Sequence, residues 1–130
     1  MSGTGIAAIC VGAVFGALLR WGIGSFMHAQ VPNLPLGTLL ANLSGGYLVG
    51  LVVGVFTLNP ALDPAWRLGI VTGFLGALTS FSTFSLEMVL LIQQERILTA
   101  ASMVGLHVGG SLCLTVLGLK SVKLLRHVVA

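Results

Sequence analysis

Four apolar runs, joined by short polar connections, take up almost all of this chain. They cover about residues 5–27, 36–58, 66–92 and 97–119. A helix needs roughly 20 apolar residues to cross a bilayer, and each run reaches that length. Charged residues make up only 7% of the sequence, and the mean hydropathy is +1.07; a soluble domain carries about 25% charge. The expected fold is therefore all-α and integral to the membrane, a single four-helix transmembrane domain over residues 1–130. The first two connections carry turn residues, Pro32 and Pro35 in the first and Asn59, Pro60, Asp63 and Pro64 in the second, and the polar stretch Gln93-Gln-Glu-Arg96 ends the third run.

Charge and cysteine content exclude several classes. The net charge of +3 is spread over few groups, whereas a nucleic-acid footprint needs a clustered basic face. Cys10 and Cys113 lie in apolar runs without zinc-site spacing and are expected to be buried as small hydrophobes. The first run lacks a basic n-region, since Arg20 is its first cation. It is expected to stay as a transmembrane helix and not be cleaved as a signal. With the N-terminus inside, Arg67, Lys120, Lys123 and Arg126 are cytoplasmic and Arg96 is outside. That is a weak positive-inside bias, compatible with insertion in either direction.

Glycines recur at intervals of four: Gly12 and Gly16; Gly46, Gly50 and Gly54; Gly69 and Gly73; Gly105 and Gly109. Small residues so spaced let transmembrane helices approach closely, and a tight bundle is expected.

The third run carries an unusual segment, Gly-Phe-Leu-Gly-Ala-Leu-Thr-Ser-Phe-Ser-Thr-Phe-Ser at residues 73–85. Five of its last seven residues bear hydroxyls. Irregular backbone survives at membrane depth only when buried in protein or lining a cavity. One reading is a helix broken mid-membrane, which would also absorb the excess length of this run over the ~30 Å hydrocarbon core. The other is a continuous helix whose Ser and Thr bond back to their own turn.

Several polar side chains lie within the apolar runs. Arg20, next to Trp21, either snorkels to an interface or supplies positive charge to a vestibule. Asn42 either links helices or donates its amide to an anion. Phe81 and Phe84 alternate with hydroxyls, and aromatic ring edges carry positive partial charge. Glu87 is an intramembrane carboxylate, a functional candidate by position that could pair with Arg20. His107 and Ser111 are four apart and share a helix face. The sequence shows no metal cluster, catalytic triad or phosphate loop, and no enzymatic activity is expected.

Together these segments resemble the CrcB/Fluc family of fluoride channels. The resemblance covers nearly the whole chain: Gly16-Ala-Leu-Leu-Arg20-Trp21, Gly37-Thr-Leu-Leu-Ala-Asn42 and, most specifically, the run at residues 73–85. The family's common second glycine is Ala77 here. The resemblance implies an antiparallel, dual-topology homodimer in the inner cell membrane, with two fluoride pores and passive export that lowers fluoride toxicity. It implies a structural, untransported Na⁺ held by the backbone carbonyls of Gly76 and Thr79. It places Asn42, Phe81, Phe84, Ser82, Thr83 and Ser111 along the pore, and Arg20, Glu87 and His107 in a vestibule or polar track.

Two other readings fit four small helices. A small multidrug-type proton-coupled exporter relies on an acidic residue in its first helix, but this chain has Arg20 there and no Asp or Glu. A non-transporting membrane assembly subunit would fit the glycine spacing but leaves the alternation at residues 79–85 unexplained.

Overall fold

The computed structural model describes residues 2–129. Among them every regular element is helical, and four helical stretches are long and apolar enough to cross a membrane: Gly3–Gln30, Leu36–Leu58, Pro64–Gln93 and Ile97–His127. We number the helices α1 (Gly3–Gln30), α2 (Leu36–Leu58), α3 (residues 64–78), α4 (Phe81–Gln93) and α5 (residues 97–129). The third stretch thus comprises α3 and α4. This is a multi-pass membrane protein.

Local sequence sets the helix starts. Ser2 caps α1, its Oγ accepting the Gly5 N–H at 3.2 Å. Asp63 caps α3, with Pro64 at the first helical position, where a missing N–H costs nothing. Two stretches wind as π-helix, Leu68–Leu75 in α3 and Leu106–Gly110 in α5. Such turns are wider than α turns and are frequent at functional sites.

Lipid gives apolar helices little reason to associate, so close backbone packing carries much of the bundle. α1 lies along α3, and α2 along α5. A methyl group added at Gly16 would strike the Phe74 carbonyl oxygen, and one added at Gly50 the Thr115 carbonyl oxygen. Only glycine allows these backbones to touch. The pair in α5 behaves differently: Gly105 and Gly109 have nothing within 4 Å of such a methyl, so this spacing is not used inside the chain.

Two buried clusters flank the site. Leu39, Phe84, Met88, Leu91, Ala100 and Met103 tie α4 to α2 and α5. Ala41, Leu75 and Leu78 join α2 to α3. The cysteines depart from expectation, since Cys10 and Cys113 are both exposed. An apolar run in a membrane protein has an outward face as apolar as its inward one, so hydrophobic context does not predict burial. The last helix continues to Val129 instead of ending near Leu119, because residues 120–129 contain no Gly or Pro to stop it.

Between α3 and α4 the backbone leaves helical geometry for two residues. Thr79 has φ −87° and ψ 151°, and Ser80 has φ −148° and ψ 108°. Both are extended, and helix resumes at Phe81.

Candidate functional site

Asn42 of α2 holds this two-residue interruption. Its Oδ1 accepts the Ser80 N–H at 2.8 Å, and its Nδ2 donates to the Ser80 carbonyl at 3.3 Å. The amide imitates one rung of a β-ladder. Its orientation is unambiguous, because a backbone N–H can only donate and must meet the oxygen. Nδ2 also lies 3.2 Å from His107 Nδ1. Since Nδ2 is purely a donor, Nδ1 accepts, and the neutral imidazole carries its hydrogen on Nε2. His107 is 5% exposed, and its Nε2 has no hydrogen-bond partner among the described residues.

The Phe84 ring packs on His107, with centroids 4.4 Å apart, and the Phe81 ring tilts against Phe84 at 5.5 Å. Their surroundings differ sharply: Phe84 is 8% exposed and Phe81 is 78% exposed. A groove of about 470 Å³ runs past both rings. Asn42, Gly76, Thr79, Ser80, His107 and Ser111 contribute to its walls. One chain leaves this groove open along its surface.

Ser80 joins the groove to a second recess. Its Oγ donates to Thr83 Oγ1 at 2.7 Å, lies 3.3 Å from Ser82 Oγ, and accepts the Thr83 N–H at 3.1 Å as the N-cap of α4. Thr83 Oγ1 also accepts from Arg20 Nη1 at 3.4 Å. Arg20, Trp21, His28, Thr38, Thr83 and Glu87 line this recess of about 490 Å³. Arg20 and Glu87 share it without bonding each other. Glu87 Oε1 accepts from the Thr38 hydroxyl, while its Oε2 is buried with no partner among the described residues. Polar contacts thus run unbroken from Arg20 through Thr83, Ser80 and Asn42 to His107. Ser82 is exposed and lies at the edge of this ladder, touching it only at Ser80.

The interruption also redirects two helical donors. In a continuous helix the Ser80 N–H would serve the Gly76 carbonyl, and the Thr83 N–H the Thr79 carbonyl. Here the first goes to Asn42 Oδ1 and the second to Ser80 Oγ. Gly76 itself is exposed at the groove, and a methyl there would meet only the Val71 carbonyl at 3.6 Å.

The profile described as CrcB-like protein, Camphor Resistance (CrcB), matches residues 7–119. The chain belongs to the CrcB family. Curated CrcB relatives align over nearly their whole length. A Pseudomonas putida (strain W619) protein is 54% identical over 114 residues, 88% of this chain and 90% of its own. A Tolumonas auensis protein is 50% identical over 122 residues, 94% of this chain and 96% of its own. A Variovorax paradoxus (strain S110) protein is 54% identical over 124 residues, 92% of this chain and 95% of its own. Each of the three is named a fluoride-specific ion channel, FluC.

In this CrcB chain, sequence reasoning counts Ser80 among the hydroxyls and gives it no role, and it passes over Thr38. Ser80 has a signal: a serine three residues before another hydroxyl, ahead of an apolar run, is a plausible N-cap. Thr38 has none, because its partner Glu87 is 49 residues away.

Proposed function

We propose that this protein is a fluoride channel. It lets fluoride leave the cytoplasm passively across the inner cell membrane and so limits the toxicity of ion that entered as neutral HF. The observation that carries this reading is the polar ladder from Arg20 to His107, beside a groove walled by aromatic rings. The relatives' names, fluoride-specific ion channel, agree with it. Fluoride is small and strongly hydrated. A narrow path must replace its water with donors and favourable dipoles. Hydroxyls, amide N–H groups and ring edges do this without offering a fixed positive charge that would trap the ion. Arg20 at the recess gathers anions, and the steps beyond it are neutral.

The working unit in this reading is an antiparallel homodimer, with the helix interruption lying mid-membrane. A groove open along one chain does not shield an ion from lipid, and a second copy would close it. The open space around Gly76, and around Gly105 and Gly109, is consistent with such a partner. The residues also fit a structural Na⁺. The Gly76 and Thr79 carbonyls have lost their helical donors to Asn42 and Ser80, and unwound carbonyls suit Na⁺. Two copies would supply four such oxygens. The ion would offset the cost of unpaired carbonyls and brace the dimer.

The test uses purified protein in fluoride-loaded liposomes. Fluoride should leave down its gradient without ATP, and collapsing the proton gradient should not change the rate. Flux that depends on the proton gradient would point to the exporter reading and overturn this one.

A further inference from the structure

Two apolar grooves flank Trp66 at the end of the bundle where α3 begins. The first, about 690 Å³, runs between α1 and α3. Its floor is backbone: a methyl at Gly12 would strike the Gly69 carbonyl oxygen, and one at Gly69 would crowd Ala8. Phe15, Trp66 and Phe74 stand along it, and Trp66 is 66% exposed. The second, about 310 Å³, lies between α2 and α3, beside Val55, Phe56 and Leu62. Trp66 and Ile70 line both grooves. Along α1 the first groove extends from Ala7 to Phe15, about 13 Å of helix. The hydrocarbon of one leaflet is about 15 Å deep, so the groove runs from the membrane surface almost to the midplane. Arg67 follows Trp66 in the first turn of α3 and is exposed. The acidic residue of this turn, Asp63, turns an oxygen to the Ala65 N–H instead, at 2.8 Å. No residue of these grooves lines the one beside Phe81 and Phe84.

We propose that this end of the bundle is a binding site for one anionic phospholipid, with an acyl chain in each groove, Trp66 between the chains and the phosphate on Arg67. Tryptophan beside arginine at the start of a span marks the headgroup level. A cation held there attracts anionic lipid, and a guanidinium matches a phosphate in shape as well as charge. The paired grooves fit two flexible chains that straddle a protruding ring. A single straight helix from a second copy cannot enter both. The small residues on the floor are already used in the contact of α1 with α3, so no backbone is left open for a partner helix as it is at Gly76, Gly105 and Gly109. The bound lipid touches α1, α2 and α3 at once and ties their ends together. This site is independent of the ion carried and of the groove that carries it.

The site carries its own reporter. The chain has two tryptophans, Trp21 and Trp66, so Trp21→Phe leaves Trp66 as the only indole. That protein is placed in phosphatidylcholine liposomes with a small, equal fraction of either phosphatidylglycerol or phosphatidylcholine bearing brominated chains, which quench indole fluorescence on contact. Brominated phosphatidylglycerol should quench Trp66 as though enriched about fivefold beside it, the order expected for one cation near an anionic membrane surface. Adding Arg67→Gln should make the two lipids equal quenchers, while Arg67→Lys should keep most of the preference. Arg126→Gln removes the same charge from an exposed position outside the grooves and should leave the preference within about twofold. Unbrominated phosphatidylglycerol should relieve the quenching, and soluble glycerol phosphate, a head without chains, should not. Equal quenching by the two lipids before Arg67 is changed, or a preference that survives Arg67→Gln, overturns the proposal. Displacement by glycerol phosphate also overturns it, because the grooves would then have no part. Quenching by neither lipid would mean that a second copy covers Trp66, and the proposal falls on that result too.

Discussion

Replacing Asn42 by leucine tests the node that holds the helix interruption. Leucine has the same branched shape and number of heavy atoms with somewhat larger ends, so the change removes hydrogen bonds without opening a cavity. Three contacts disappear: two with the Ser80 backbone and one with His107 Nδ1. The Ser80 carbonyl keeps the Phe84 N–H at 3.4 Å. The Ser80 N–H and His107 Nδ1 are left without partners. Interhelical hydrogen bonds in membranes average only about 0.6 kcal/mol, which would give about 2 kcal/mol for three. An orphaned dry group costs about 1–3 kcal/mol. Because Ser80 and His107 are both buried, the second figure governs, and a loss of about 3 kcal/mol is expected. That is roughly a hundredfold in the unfolding equilibrium. Asn42→Asp should be no better, since its second oxygen would face the Ser80 carbonyl, acceptor against acceptor. Reversible unfolding in mixed micelles, followed by circular dichroism, measures the loss. Fluoride flux from liposomes should fall with it. A leucine variant within about 0.5 kcal/mol of wild type would refute the claim that Asn42 supports the interruption, as that is the scatter of an inert surface change.

Phe84→Ile should lower fluoride flux sharply and also cost stability by about 1–3 kcal/mol, because the ring is buried and packs on His107. Phe81→Ile should lower flux with less than about 1 kcal/mol of change, since Phe81 is largely exposed in one chain; paired flux and unfolding measurements distinguish the two. Gly50→Val should prevent folding of the bundle, because any Cβ meets the Thr115 carbonyl. Gly76→Leu should leave helical content intact and abolish the proposed dimer on gel filtration. A dimeric Gly76→Leu variant would remove Gly76 from the subunit contact.

Four spans were legible because apolar length reports directly on bilayer crossing. Their internal faces were not. Cys10 and Cys113 turned outward, since in lipid the outer face carries no polar signature to mark it. The glycine spacing foretold backbone contacts at Gly16 and Gly50 but not their absence at Gly105 and Gly109, because spacing states what is possible and only the fold chooses a neighbour. The π-helical turns at Leu68–Leu75 and Leu106–Gly110 left no compositional trace. At the site, the hydroxyl-rich run drew attention to residues 79–85. The partnership of Asn42 with Ser80 and His107 joins residues 38 and 65 positions apart, and no periodicity encodes such separations. Sequence alone left Asn42 open between helix link and anion donor. In the structure its amide bonds Ser80 and His107 across the helices.

The most direct test of the account compares two ions in one preparation. Liposomes containing only this protein are loaded with equal fluoride and chloride, and the efflux of each is followed with its own electrode. Donors placed for a small, strongly hydrated ion predict rapid fluoride loss while chloride stays trapped. Equal rates for the two ions, or no fluoride efflux from folded protein, would contradict it.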